Sequence, residues 1–109
     1  MSSERNRFDE LRASLSGLLA RDASSKEELR DWYLDARCVL ESLTEPGGLG
    51  PAIPEMIWHY LADADMRSKD PTYRDQQEAF LRAFLALMKT GEVPSEAAVL
   101  AFLKEAKAR

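Results

Sequence analysis

Apolar residues return every three or four positions along this chain, in five stretches separated by short polar or Pro/Gly-rich breaks, which is the repeat of an amphipathic helix. From Ser3 to Arg21, Phe8, Leu11, Leu15, Leu18 and Leu19 share one face. Ser16 and Gly17 lie off that face, and Gly17 costs up to about 1 kcal/mol relative to Ala unless it marks a close approach. Asp22-Ala-Ser-Ser breaks the pattern. Ser25 with Glu28 three residues later is a capping box, because each side chain can satisfy an amide left unpaired at a helix start. A second helix follows, with Leu29, Trp32, Tyr33, Ala36, Val39, Leu40 and Leu43 on its face, ending near Thr44 before Pro46.

Residues 45–54 hold three of the five glycines and three of the five prolines, so neither a helix nor a sheet ladder persists there. A third helix is expected from Pro54 to about Arg67, with Ile53, Met56, Ile57, Tyr60, Leu61 and Ala64 aligned. Asp70-Pro71 opens a fourth, since the carboxylate caps and the proline suits the first position. Its stripe is Tyr73, Phe80, Leu81, Phe84, Leu87 and Met88, and Gly91 ends it. Pro94, Ser95 and Glu96 start a last short helix with Val99, Phe102, Leu103 and Ala106 on its face, and Lys104, Lys107 and Arg109 near its negative end. The pattern predicts one all-α domain over residues 1–109, a compact antiparallel bundle of four main helices plus a short C-terminal fifth.

Composition agrees: fifteen Ala and fifteen Leu stand against eight β-branched residues. A net charge of −4 argues against the phosphate attraction on which most nucleic-acid binding rests. No apolar run, Ala83–Met88 for example, approaches the roughly 18 residues of a membrane span. A lone Cys38 excludes an intramolecular disulfide, and no apolar stretch follows the polar opening Met1-Ser-Ser-Glu-Arg, so a reducing cytoplasm is the expected compartment.

The catalytic inventory is small, with one His and one Cys in the chain. Cys38 sits mid-helix, away from any helix start that would lower its pKa, and is expected to be unreactive. Glu55, His59 and Asp63 would form one ridge of the third helix, either a divalent-metal ligand set or a solvated polar face. Asp63-Ala-Asp65 opens like a calcium loop, but Ser68 and Arg74 replace the Gly and Glu that such a loop needs. Gly47-Gly-Leu-Gly50 lacks the strand and the Lys-Ser/Thr ending of a phosphate cradle, so it reads as a connector whose glycines would let a partner's backbone approach closely. Gln76 and Gln77 flank the fourth stripe. Either that end of the helix projects beyond the core, or the two glutamines floor a ligand pocket near Tyr60 and Tyr73.

Four apolar residues fall on the wrong side of their helices: Leu34 and Cys38 on the second, Trp58 on the third and Leu85 on the fourth. They are either ordinary exposed residues or an interaction surface for another protein or a second copy. In architecture and charge the chain resembles small acidic helical bundles that bind and neutralise other proteins, although no motif residues carry the likeness. The expected function is therefore a non-catalytic interaction module without cofactor. The alternative is a helical small-ligand or metal-binding protein with modest enzymatic activity, using Tyr60, Tyr73, Gln76 and Gln77, or Glu55, His59 and Asp63.

Overall fold

A computed structural model describes residues 3–21 and 23–107. The expected positions of Asp22 in the first break and of Arg109 at the C-terminal end fall outside them. The described residues contain no strand and six α-helices: α1 (Ser3–Ala20), α2 (Lys26–Thr44), α3 (Glu55–Ala62), α4 (Ala64–Lys69), α5 (Pro71–Leu87) and α6 (Glu96–Lys107). No helix among them is long and apolar enough to cross a membrane.

Local chemistry sets most boundaries. Ser25 Oγ accepts the Glu28 N–H at 3.1 Å and Glu28 Oε1 accepts the Ser25 N–H at 3.1 Å, so the capping box forms as read. These bonds hold the Glu28 carboxyl below its usual range. Ser25→Ala is expected to lower stability by about 0.5–2 kcal/mol in thermal melting, since it removes one of the two reciprocal bonds. Asp70 caps α5 through the Tyr73 N–H at 3.1 Å, with Pro71 in the first position. At the far end of α5 the chain tightens into a 3₁₀ turn, Met88–Thr90, and leaves it through Gly91 at φ 91°, a left-handed value suited to glycine. Ser95 Oγ accepts the Ala98 N–H and starts α6.

Three expectations are corrected. The third helix is not continuous over 54–67: it stops at Ala62 and restarts at Ala64, with Asp63 between them. No proline or glycine marks the break. The hydroxyl of Tyr33 does, because its oxygen accepts the Asp65 N–H at 3.0 Å while its proton lies between Asp65 Oδ1 at 2.9 Å and the Ala62 carbonyl at 3.1 Å. On α6 only Val99 is buried and Leu103 half-buried, whereas Phe102 and Ala106 are exposed, because α6 packs chiefly against a single helix, α5. The third correction is Gln77, which is 2% exposed and therefore does not project beyond the core. Gln76 beside it is exposed.

The connector 45–54 includes a 3₁₀ turn, Gly50–Ala52, and buries Ile53 and Pro54. The backbone that its glycines admit is that of the chain's own α2, not a partner's: a Cβ at Gly48 would lie 2.6 Å from the Ser42 carbonyl, and one at Gly50 2.5 Å from that of Leu43. Gly17 has nothing near it and marks no such approach.

The thinnest dimension of the molecule, 19 Å against 41 and 37 Å, accommodates two layers of helices. The helix α5 is central: α1, α3, α4 and α6 pack on it, and α2 lies against α1, α3 and α4. That position explains the wide buried arc of Gln77, Phe80, Leu81, Ala83 and Phe84, which faces more than one neighbour.

Candidate functional site

Where α2, α3, α4 and α5 meet, the core is polar. Arg67, on α4, is only 6% exposed. It occupies the next register position of the stripe Ile57, Tyr60, Leu61, Ala64, so the helical repeat carries a charged residue inward. Its guanidinium carbon lies 3.9 Å from the centre of the Tyr60 ring and 5.0 Å from that of Trp32. Nη1 donates to the Tyr60 carbonyl at 2.7 Å and to Gln77 Oε1 at 2.6 Å. Among the described residues no carboxylate lies within 4.0 Å of this cation. Aromatic faces and carbonyl dipoles therefore replace the lost hydration, an arrangement available to a planar guanidinium and poorly to an ammonium.

The network continues outward. Gln77 Nε2 donates to the Tyr73 hydroxyl at 2.8 Å, and that hydroxyl donates to Asp63 Oδ2 at 2.6 Å. Trp32 adds a buried bond from its indole N–H to the Leu18 carbonyl at 3.1 Å, satisfying one of the last carbonyls of α1. Its ring meets Tyr33 and Tyr60 edge-on, each at 5.6 Å. No buried side-chain nitrogen or oxygen among the described residues lacks a partner.

The protonation states follow from these contacts. Burial pulls the Arg67 pKa down, while Tyr60, Tyr33, Glu78 and Asp63 oppose the fall. Burial raises Tyr33, and the bond to Asp63 raises Tyr73. The Tyr33 hydroxyl holds the Asp65 carboxyl below its usual range. The Tyr60 phenol is pushed up to about 12, chiefly by burial, with Arg67 pulling the other way. Because the folded value lies above the unfolded one near 10, this contribution to stability is complete below pH 10 and is lost as pH rises toward 12. The interval corresponds to roughly 2.7 kcal/mol. Denaturant unfolding across that range is expected to show the alkaline loss, and Tyr60→Phe is expected to remove the Tyr60 share of it.

Of the four residues read as a ligand floor, Tyr60, Tyr73 and Gln77 join this network, while Gln76 faces outward. The proposed metal ridge is not assembled. Glu55 and His59 remain a surface pair at 3.5 Å, but the break moves Asp63 off the ridge to Tyr73. Among the described residues no group of three or more His, Cys, Asp or Glu side chains is placed to hold a metal ion. Arg67 and Trp32 were missed as polar-site residues. The signal for Arg67 was a cation in register with an apolar stripe.

The four misplaced apolar residues do not share one depression. Leu34 is 55% exposed, and Cys38 is exposed beside a groove between α1 and α2 that also includes Gly17 and Ser14. Trp58 is half-buried and packs over the connector at Gly50, and Leu85 is half-buried against the core. No protein-family model matches the chain, and neither curated proteins nor solved structures give a significant match.

Proposed function

We propose that this chain is a small acidic, non-catalytic interaction module of the adaptor, inhibitor, immunity or regulatory kind, acting in the cytoplasm on another protein or on a second copy of itself. In this reading the principal helices form an antiparallel bundle with α6 as an appended C-terminal helix. The observation that carries it is the apolar excess of α6. Leu100 is 52% and Phe102 39% exposed, on either side of the Val99–Leu103 strip that faces α5. Single exposed apolar residues are ordinary, but two large ones flanking the buried strip of one helix present a ready contact surface. Leu34 on α2 and Met66 on α4 add exposed apolar area elsewhere. Trp58 and Leu85, being half-buried in this chain, have less surface left to offer a partner.

The test is a double substitution, Leu100→Ser with Phe102→Ser. Both side chains keep part of their surface packed, so melting is expected to fall by about 1–2 kcal/mol with the fold retained. Self-association in sedimentation, or co-purification of a partner from the native lysate, is expected to be lost. A parent chain that sediments as a monomer and retains no more protein than the double variant would overturn the reading.

A further inference from the structure

Above Arg67 lies a cleft of about 110 Å³ between the end of α1, the start of α2, α4 and the first turns of α5. Drug-sized ligands occupy roughly 300–1,000 Å³, so this space suits one compact functional group. Trp32 and Tyr60 contribute its apolar lining, and Arg67, Arg74, Arg21 and Glu78 its charges. Two of those charges are already matched: Arg21 is paired with Asp35, and Glu78 with Arg82 at 3.5 Å. Among the described residues neither Arg67 nor Arg74 has a carboxylate partner.

Arg67 uses only Nη1 for its two hydrogen bonds. No bond among the described residues uses its Nε–H or Nη2, yet no buried polar side-chain atom is without a partner, so these remaining donors open onto the cleft. The Tyr60 and Trp32 rings and the two acceptors fix the plane of the guanidinium. A rigid, nearly buried fork aimed into a small cleft is preorganised for a bidentate oxyanion contact.

We propose that this cleft binds the phosphate group of a small ligand, with Arg67 Nε and Nη2 gripping two oxygens and Arg74 closing over the outer one. Charge selects phosphate: a group carrying about −1.5 to −2 at neutral pH matches two unmatched guanidiniums, whereas a carboxylate leaves one uncompensated. The site belongs to the ligand-binding alternative and is separate from the α6 surface. The Leu100→Ser, Phe102→Ser variant is therefore expected to bind phosphate as the parent does, and failure of either reading leaves the other standing.

The experiment is a titration of the whole chain with inorganic phosphate at constant ionic strength, followed by nitrogen–proton NMR of the Arg67 Nε–H and by thermal melting. Acetate serves as the control, and glycerol 2-phosphate as the ester arm. The Arg67 signal is expected to shift saturably with phosphate, and Tm to rise by about 4 °C at five times the Kd. Arg74→Gln is expected to weaken binding about tenfold with the fold intact. Tighter binding of the ester would assign the site to a phosphorylated metabolite, and equal binding to free phosphate. Two outcomes would overturn the proposal. One is an equal response to acetate. The other is a rise in Tm that Arg74→Gln leaves unchanged while the Arg67 signal stays still, which is the general salt effect of phosphate.

Discussion

Trp32→Ala is expected to cost about 4–6 kcal/mol, the largest loss of any single change considered for this chain. Trp32 is among the largest fully buried side chains. Truncating a buried Trp removes about 3–5 kcal/mol through lost transfer energy and the cavity left behind. Three further losses follow from what the indole touches. The Leu18 carbonyl at the end of α1 loses its side-chain donor, Tyr33 and Tyr60 lose an edge-on neighbour, and Arg67 loses one of its two ring faces. Domains of this size hold only about 5–15 kcal/mol in total, so the variant is expected to lose most of its cooperative melting transition in calorimetry. A variant melting within a few degrees of the parent would show that α1 and α2 do not meet through this ring.

The second large effect is expected at Arg67. Arg67→Met keeps length and flexibility but removes the donor to the Tyr60 carbonyl and to Gln77 Oε1, leaving two buried acceptors without it. At about 1–3 kcal/mol per orphaned group, offset by the desolvation that the cation no longer suffers, the expected loss is about 3 kcal/mol. Arg67→Lys is expected to fall nearly as far, because a compact ammonium cannot donate in a fixed fork while stacking on Tyr60. The diagnostic measurement is a double-mutant cycle by denaturant unfolding. Adding Gln77→Leu to Arg67→Met removes one orphaned acceptor together with its partner, so the double variant is expected to be more stable than the sum of the two singles predicts. Strict additivity would mean that the two residues do not act as a pair.

The stripes of α2 and α5 and the caps at Ser25 and Asp70 were legible in the sequence because each depends on residues within a turn or two of each other. The break at Asp63 was not. It rests on the Tyr33 hydroxyl, some thirty positions upstream, substituting for interrupted helical bonds, and no local propensity records such a contact. The same break decided the chemistry. It took Asp63 away from Glu55 and His59 and gave it to Tyr73, so one end of the ridge that could have been either a metal ligand set or a solvated face joins a hydrogen-bond network. Of the set Tyr60, Tyr73, Gln76 and Gln77, three meet in the core network, because polar residues aligned with apolar stripes must find one another inside, while Gln76 faces outward. Arg67 is hidden in the sequence because a cation near the expected helix end looks like a terminal residue, although its register continues the stripe.

The six-residue α4 is too short to persist by its own backbone bonds, since isolated helices of even a dozen residues are marginal in water. It is held from outside, by the Tyr33 hydroxyl at its start, Ala64 in the core, and Arg67 beneath its last turn. Such a segment is expected to open as one cooperative unit below the free energy of global unfolding, with its amides exchanging earlier than those of α2 or α5 in hydrogen-exchange measurements. Each opening withdraws Arg67 from both rings at once. The guanidinium therefore links the local unfolding equilibrium of α4 to whatever it holds, and anything that binds it slows exchange throughout that helix.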